Sequence, residues 1–360
     1  MAKTLLTGAT GFIGSHLAAA LVKRGDELRV TVREDSPVEL LEGLDCERVM
    51  CDVLDRESVR KALRGVDRVF HAAGVTSVRP EDAERLFDVN VHGTKVVLEE
   101  ALKKGVERVV YTSSAAALGP ARAGSTADEA QLFTAAHLGI PYVNSVHEAE
   151  VEAMRLAAQG LPLVCVNPAV TFGAGDVHVT STRLVRSFLL GRVPVYADGA
   201  ICVVDVKDVA RGHLLADGKG AVGERYILGG RNFTFDRLFA DLSRLTGVEA
   251  PVRLPSSLAR TAAAVLGAGA TDPSEVLAAT QWWTYRSTKA KRDLGWKARP
   301  HEETLDATVQ WHMEREHDRI RRTRRSQQLQ YRAAGAALGA FENATGVVSQ
   351  VWRRVGALTP

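Results

Sequence analysis

Residues Thr7-Gly8-Ala9-Thr10-Gly11-Phe12-Ile13-Gly14 set three glycines between a short apolar run, Leu5-Leu6, and a helical pattern from Ile13 to Lys23. Glycines at a strand-to-helix turn let the backbone bend tightly, approach a pyrophosphate and pack the helix close to the strand. The helix N-terminus then offers free N–H groups and a partial positive charge to phosphate oxygens. A purely structural glycine turn is the alternative, and the strand-to-helix context weighs against it. Gly8, Thr10, Gly11, Phe12, Ile13 and Gly14 are therefore candidate dinucleotide contacts.

The same rhythm repeats along the chain. Apolar or β-branched runs at Leu28–Val32, Arg48–Met50, Arg68–Phe70, Val109–Thr112 and Leu163–Val166 alternate with helical patterns at Arg56–Leu63, Glu81–Lys103 and Tyr142–Ala158. Repeated βαβ units imply an α/β, Rossmann-type doubly wound parallel sheet with helices on both faces. The expected dinucleotide-binding domain is 1–170, completed by strands from about 201–228, including Ile201–Val204 and Arg225–Leu228. A smaller interleaved substrate lobe is expected over 171–300, and a helical basic and apolar tail over 301–360.

Composition excludes several classes. Lys plus Arg exceed Asp plus Glu by three (46 against 43), which gives no electrostatic case for a nucleic-acid partner. Cys46, Cys51, Cys165 and Cys202 lack the paired spacing of a zinc site and read as small buried hydrophobes, and no other cluster has metal spacing, so no metal is expected. No GxSxG or Cys-His arrangement suggests hydrolysis. Met1 runs straight into strand and glycine loop without a signal-peptide pattern, so a cytoplasmic location is expected. The uncharged stretch Leu156–Gly175 contains Pro162, Pro168, Gln159 and Asn167 and reads as a helix end, a buried strand and a loop, not a membrane span.

Three further strand ends carry candidate cofactor contacts. After the second strand, where NAD binders usually place an acidic residue for the ribose 2′-hydroxyl, the sequence has Val32-Arg33-Glu34. Arg33 suits a 2′-phosphate, so NADP is the expected cofactor, with NAD kept open because Glu34 can turn toward the ribose. Asp52, followed by Val53, can accept from an adenine amino group or can cap the helix starting near Arg56. His71 reads as a packed strand-end histidine, while Ala72, Ala73 and Gly74 are small enough for a flat ring to lie on the backbone.

TGATGFIG, CDV (51–53), HAAG, DVNVHGT (88–94), VYTSSAAALG (110–119), PYVNS, VVDVKDVA (203–210) and KRDLGW (291–296) together resemble the extended short-chain dehydrogenases of the NAD-dependent epimerase/dehydratase type. VYTSSAAALG, GERYILGG and VNPAVTFG most resemble the hopanoid-associated sugar epimerase group and, more distantly, dihydroflavonol reductases. The resemblance implies that Thr112, Tyr142, Pro168 and Val170 meet the cofactor, that Asn90 supports the helix behind the site, and that Thr171–Thr182 line the substrate side. Relatives often dimerise through the helices that here hold Glu81–Lys103 and Tyr142–Ala158, so a homodimer is an expectation.

In that superfamily a Ser, a Tyr and a Lys four residues after the Tyr do the chemistry: Tyr exchanges the proton, Ser holds the substrate oxygen and Lys binds the nicotinamide ribose. Ser114 and Tyr142 occupy the first two positions, and Val146 stands at the third. His147 is five residues from Tyr142, roughly 140° around a helix, and points off the tyrosine's face. An unassisted tyrosine, with a pKa near 10, is phenolate in roughly one molecule in a thousand at pH 7. Alcohol oxidation therefore suffers more from the missing lysine than ketone reduction, which needs the neutral phenol as an acid.

Three functions stay open on the sequence: an NAD(P)-dependent oxidoreductase acting on a ketone or secondary alcohol of a sugar-like, isoprenoid or polycyclic small molecule; a non-catalytic dinucleotide-binding sensor or scaffold; and a sugar epimerase or dehydratase. In the tail, arginines between 315 and 325 precede the small apolar stretch Ala333–Val355. That pattern fits a helix packed on the body or on another subunit, or a peripheral foot on the inner face of an anionic membrane.

Overall fold

The computed structural model describes residues 2–254 and 273–322. Its strands are β1 (Lys3–Thr7), β2 (Glu27–Val32), β3 (Glu47–Met50), β4 (Arg68–His71), β5 (Arg108–Thr112), β6 (Leu163–Pro168), β7 (Val170–Phe172), β8 (Val195–Ala197), β9 (Ala200–Asp205), β10 (Arg225–Leu228), β11 (Arg231–Thr234), β12 (Val252–Leu254) and β13 (Trp282–Trp283). The seven-stranded main sheet runs β10-β6-β5-β4-β1-β2-β3, and every neighbouring pair in it is parallel. The chain winds outward from β1 to β3, then crosses back to β4 and winds the other way. The strand order thus reverses between β1 and β4, which opens a crevice beyond their carboxyl ends.

The helices are α1 (Phe12–Arg24), α2 (Arg56–Ala62), α3 (Ala83–Leu86), α4 (Thr94–Lys104), α5 (Pro141–Ala158), α6 (Arg183–Leu189), α7 (Val206–Lys219), α8 (Phe235–Thr246), α9 (Pro273–Ala279) and α10 over 301–322. α1 and α7 cover one face of the sheet, where Leu17, Leu21, Val209 and Ala216 pack with Leu6, Val30, Phe70, Val110 and Val164. α2, α4 and α5 cover the other, where Val59, Val97, Ala101, Ala149 and Ala153 pack with Leu5, Val69, Val109 and Cys165. The inner strands thereby bury both faces, which is why these runs are mainly apolar instead of alternating, while the edge strand β3 stays largely exposed.

The helix expected over Glu81–Lys103 is interrupted. Phe87–Gly93 forms a π-helical stretch between α3 and α4. The wider turn fits the DVNVHGT residues: Asn90 exchanges hydrogen bonds with the backbone of Val75, and a Cβ on Gly93 would sit 2.8 Å from Val53 Cγ2. π-bulges of this kind gather at functional sites.

Only part of 201–228 completes the main sheet, contrary to expectation. β10 joins its edge beside β6, but Ile201–Val204 lies in β9, the centre of a second sheet ordered β11-β9-β13, with β7 also paired to β9. β9 alternates between two cores: Cys202 and Val204 face the main-sheet core, whereas Ile201 and Val203 face a second one with Phe172, Phe188, Phe233 and Phe239. α10 closes that second core with Leu305, Val309 and Ile320. Ala333–Val355, Arg324 and Arg325 lie outside the described residues. Among the described residues no helix is long and apolar enough to cross a membrane.

Candidate active site

A cleft of about 540 Å³ opens along the carboxyl ends of β1, β2, β4 and β5. Its floor is the glycine loop. Gly8 has φ +73°, and a Cβ there would lie 2.5 Å from the Ala72 carbonyl oxygen; one on Gly14 would lie 1.9 Å from the Gly8 oxygen. Side chains are excluded at both positions, which brings the loop, the β4 end and the first turn of α1 within backbone contact. Thr10, Gly11, Phe12, Ile13, Ala72, Ala73 and Gly74 line the same floor.

The far end of the cleft carries Arg33, Asp52 and Val53. Arg33 is half exposed and loosely paired with Asp35 at 3.4 Å, so its guanidinium is free to turn toward an anion. Asp52 does not cap α2. Asp55 does, accepting from Glu57 N at 3.0 Å and Ser58 N at 3.3 Å, while Asp52 Oδ1 accepts from Leu54 N at 2.9 Å and leaves its carboxylate at the cleft mouth.

Behind the floor stands a buried polar chain. His71 is fully buried, with Nδ1 2.7 Å from Thr7 Oγ1 and Nε2 3.0 Å from Thr94 Oγ1, and burial pulls its pKa down to about 4. It is a packed, neutral histidine, as its place at the end of β4 suggests.

At the other end, Thr112, Ser113, Tyr142 and Val146 meet. Pro141 opens α5, where its missing N–H costs nothing, and Ser145 Oγ, held by Asn90 Nδ2 at 3.0 Å, ties the helix to the π-helical stretch. Tyr142 and Val146 thereby face the cleft one turn apart. Burial pushes the Tyr142 pKa up, and the neighbouring Ser114 offsets only part of that rise. Ser114 Oγ also caps the short 3₁₀ turn Ala115–Leu118 by accepting from Ala116 N at 3.2 Å. Thr112 Oγ1 lies 2.8 Å from Nε2 of His213, whose Nδ1 faces the Val209 carbonyl at 2.8 Å. Nδ1 must carry the proton to serve that carbonyl, so Thr112 donates to Nε2 and presents lone pairs to the cleft. His147 faces away, with Nδ1 3.0 Å from the Ala117 carbonyl and its ring stacked on Phe133.

Ser114, Pro168 and Val170 do not line the cleft itself. Pro168 and Val170 were expected in a loop, yet Pro168 is the last residue of β6 opposite Leu228 and Val170 the first of β7 opposite Val203, with Ala169 alone between them. Conversely, Thr76, Arg85 and Val89 line the cleft without having been singled out in the sequence, as do His178, Thr180 and Ser181 within the expected substrate-side segment. The last three sit on a loop tied down by buried Asp176, which accepts from Thr180 N and Oγ1, both at 3.1 Å, and from Thr182 N and Oγ1 at 2.9 and 2.8 Å. The spacing of an aspartate followed by threonines four and six residues on was the available signal.

Fold and cleft define a dinucleotide-binding α/β protein. Residues 4–229 match the family model described as NAD dependent epimerase/dehydratase family, and the chain belongs to that family. It is similar to sterol demethylase protein B of Methylococcus capsulatus, with 39% identity over 69% of this chain and 76% of the relative. It is likewise similar to a dihydroflavonol 4-reductase-like protein of Synechocystis, with 36% identity over 85% and 93%. Among solved structures, a nucleoside-diphosphate-sugar epimerase from Pseudomonas aeruginosa superposes with a TM-score of 0.75 at 27% identity, covering 87% of this chain and 98% of the other.

Proposed function

We propose that the protein is an NADP(H)-linked oxidoreductase that reduces a ketone, or oxidises the corresponding secondary alcohol, on a large and mainly apolar small molecule. The observation that carries this reading is the placement of Tyr142 at one end of a cleft whose other end is a glycine loop. The glycine positions leave room for a phosphate against the backbone, and Arg33, Asp52 and Val53 suit the adenosine end, so the residues present fit a dinucleotide. When bound, its reduced nicotinamide supplies the hydride. Tyr142, kept protonated by burial, donates its proton to the substrate oxygen, and Ser114 holds that oxygen. Thr112, with its proton committed to His213, accepts.

An apolar substrate is favoured by the similarity to sterol demethylase protein B, a protein named for a polycyclic substrate. Calorimetric titration with NADPH, NADP⁺, NADH and NAD⁺, followed by a ketone-reduction screen on sterol-like and isoprenoid ketones, tests the reading; failure to bind any of the four would end it.

Val146 favours a second reading, a dinucleotide-binding sensor without turnover, and a protein that binds NADPH but reduces no ketone would fit it. A cytoplasmic setting, a homodimer and a membrane-associated tail remain parts of the proposal. Sedimentation velocity, and vesicle sedimentation of the full chain against one ending at Arg315, check the last two.

A further inference from the structure

β5 ends at Thr112, Ser113 follows it, and both residues line the cleft. Successive residues of an extended chain point to opposite faces of the sheet, and here each hydroxyl is tied down on its own face. Thr112 donates to His213 on α7, as described above. Ser113 Oγ donates to Glu150 Oε2 on α5 at 2.5 Å.

The Ser113 proton is held in that direction. Glu150 is buried and collects donors: Arg225 Nη1 at 2.8 Å on Oε1, and on Oε2 the Asn167 amide nitrogen and the Cys165 thiol at 3.6 Å, beside Ser113. Arg225 is itself pinned, its Nε and Nη2 donating to the Glu129 carbonyl at 3.1 and 2.7 Å. A guanidinium has no lone pair and keeps its charge, so the carboxylate beside it accepts and returns no proton to Ser113. Both hydroxyls therefore offer the cleft lone pairs. Tyr142, Val146 and Glu150 follow one another at four-residue spacing on α5, which sets the anchor of Ser113 one turn beyond the valine.

Strand order says which ligand group meets these lone pairs. In the run β5-β4-β1-β2 the glycine loop follows β1 and Arg33 follows β2. With a pyrophosphate on the loop and the adenosine toward β2, the nicotinamide half runs past β4 to the end of β5. We propose that Ser113 is a further cofactor-binding residue, an acceptor for the hydroxyl or amide N–H groups of the nicotinamide half of the dinucleotide, and that Glu150 and Arg225 are the pair that positions it. The inference rests on the dinucleotide reading above. Val146 brings neither a donor nor an acceptor to this end of the cleft, so the ligand's donors there depend on Ser113 and Thr112.

The test uses the full chain and calorimetric binding of NADPH, NADP⁺ and adenosine 2′,5′-bisphosphate, which keeps only the adenosine half, with thermal unfolding as a folding control. Ser113→Ala removes one oxygen. It is expected to weaken NADPH and NADP⁺ binding roughly five- to tenfold and to leave the bisphosphate within about twofold of native. In Glu150→Gln, Arg225 keeps the amide oxygen, and an N–H replaces the acceptor facing Ser113 and Asn167. Ser113 then accepts from that N–H and turns its own proton to the cleft, against the ligand's donors. NADPH binding is expected to fall roughly tenfold or more in the native background, and less than about twofold where Ser113 is already alanine. A Ser113→Ala protein that folds and binds NADPH as tightly as the native one overturns the inference. So does an equal loss for NADPH and the bisphosphate, which would make the hydroxyl merely structural. An equal cost of Glu150→Gln in both backgrounds overturns the positioning pair. If the native chain binds no dinucleotide, the underlying functional reading falls with it, a result distinguishable from the others.

Discussion

Val146 stands one helical turn beyond Tyr142 on α5, and the two side chains share one wall of the cleft. A cation at 146 would favour the phenolate of Tyr142, and each pKa unit it removes raises the phenolate fraction about tenfold. Val146→Lys is therefore expected to raise alcohol-oxidation turnover at pH 7 by roughly tenfold or more, and to move the oxidation profile to lower pH. Ketone reduction should change little, because the neutral phenol is already the acid it needs. Steady-state rates in both directions across pH check this; unchanged oxidation in a variant that still binds dinucleotide would favour the sensor.

Arg33 decides which dinucleotide is preferred. Its ion pair with Asp35 is long and half exposed, so little opposes its turning to a 2′-phosphate. Arg33→Ser is expected to weaken NADPH binding about tenfold, one charge-assisted hydrogen bond's worth, and to leave NADH binding within twofold. Competitive titration gives the ratio. An equal effect on both cofactors would return Arg33 to the status of a surface charge.

Gly14→Ala tests the loop geometry. The added Cβ would sit 1.9 Å from the Gly8 carbonyl oxygen, backbone that has no flexible way out. Displacing it is expected to cost about 1–3 kcal/mol of stability and to abolish dinucleotide binding, read by urea unfolding and calorimetry.

The sheet and the glycine loop were legible because periodicity and glycine spacing are local properties. Motif spacing likewise singled out Tyr142, which lines the cleft, and Ser114, which does not. Other features were written in contacts that distant segments make. Ile201–Val204 reads as a buried strand, but nothing local says whether it pairs with β6 or with β7, β11 and β13, since both environments bury both of its faces. The π-helical stretch at Phe87–Gly93 depends on Val75 and Val53, brought in from other βα turns. Pro168 and Val170 looked like loop because proline rarely sits in a sheet interior; here it ends its strand, where losing one ladder donor costs little.

Acid should destabilise the fold in a definite window. His71 and His213 are fully buried, and burial pulls each pKa down to about 4. In the unfolded chain a histidine titrates near 6.5, so between these values the unfolded state takes up protons that the folded state refuses. Their contribution is intact above about pH 6.5 and is lost as the pH falls toward 4, by roughly 3 kcal/mol per histidine at the lower end. Urea midpoints measured from pH 8 down to 4 should fall through this window. A midpoint that stays flat to pH 4.5 would mean that the two rings can be protonated in place.

Val179 holds φ +50°, a left-handed conformation that β-branched residues avoid, between the cleft residues His178 and Thr180. The cause is next to it: Asp176 collects the N–H and hydroxyl groups of Thr180 and Thr182, and His312 Nε2, 2.9 Å from Thr182 Oγ1, pins the same threonine to α10. Since Thr182 donates to Asp176, His312 is the donor to Thr182. Strain of about 1–3 kcal/mol is stored at Val179 and held there by the buried carboxylate. Val179→Gly is therefore expected to be neutral or stabilising by up to about 1 kcal/mol, the reverse of an ordinary valine-to-glycine change. Asp176→Ala should destabilise by about 2 kcal/mol or more, because buried donors lose their acceptor, and should raise substrate KM while dinucleotide affinity stays within a few fold. Thermal unfolding of the two variants separates the effects. If Val179→Gly destabilised like any other large-to-small change, the loop would not be held in the left-handed turn, and His178, Thr180 and Ser181 would have to reach the cleft by another path.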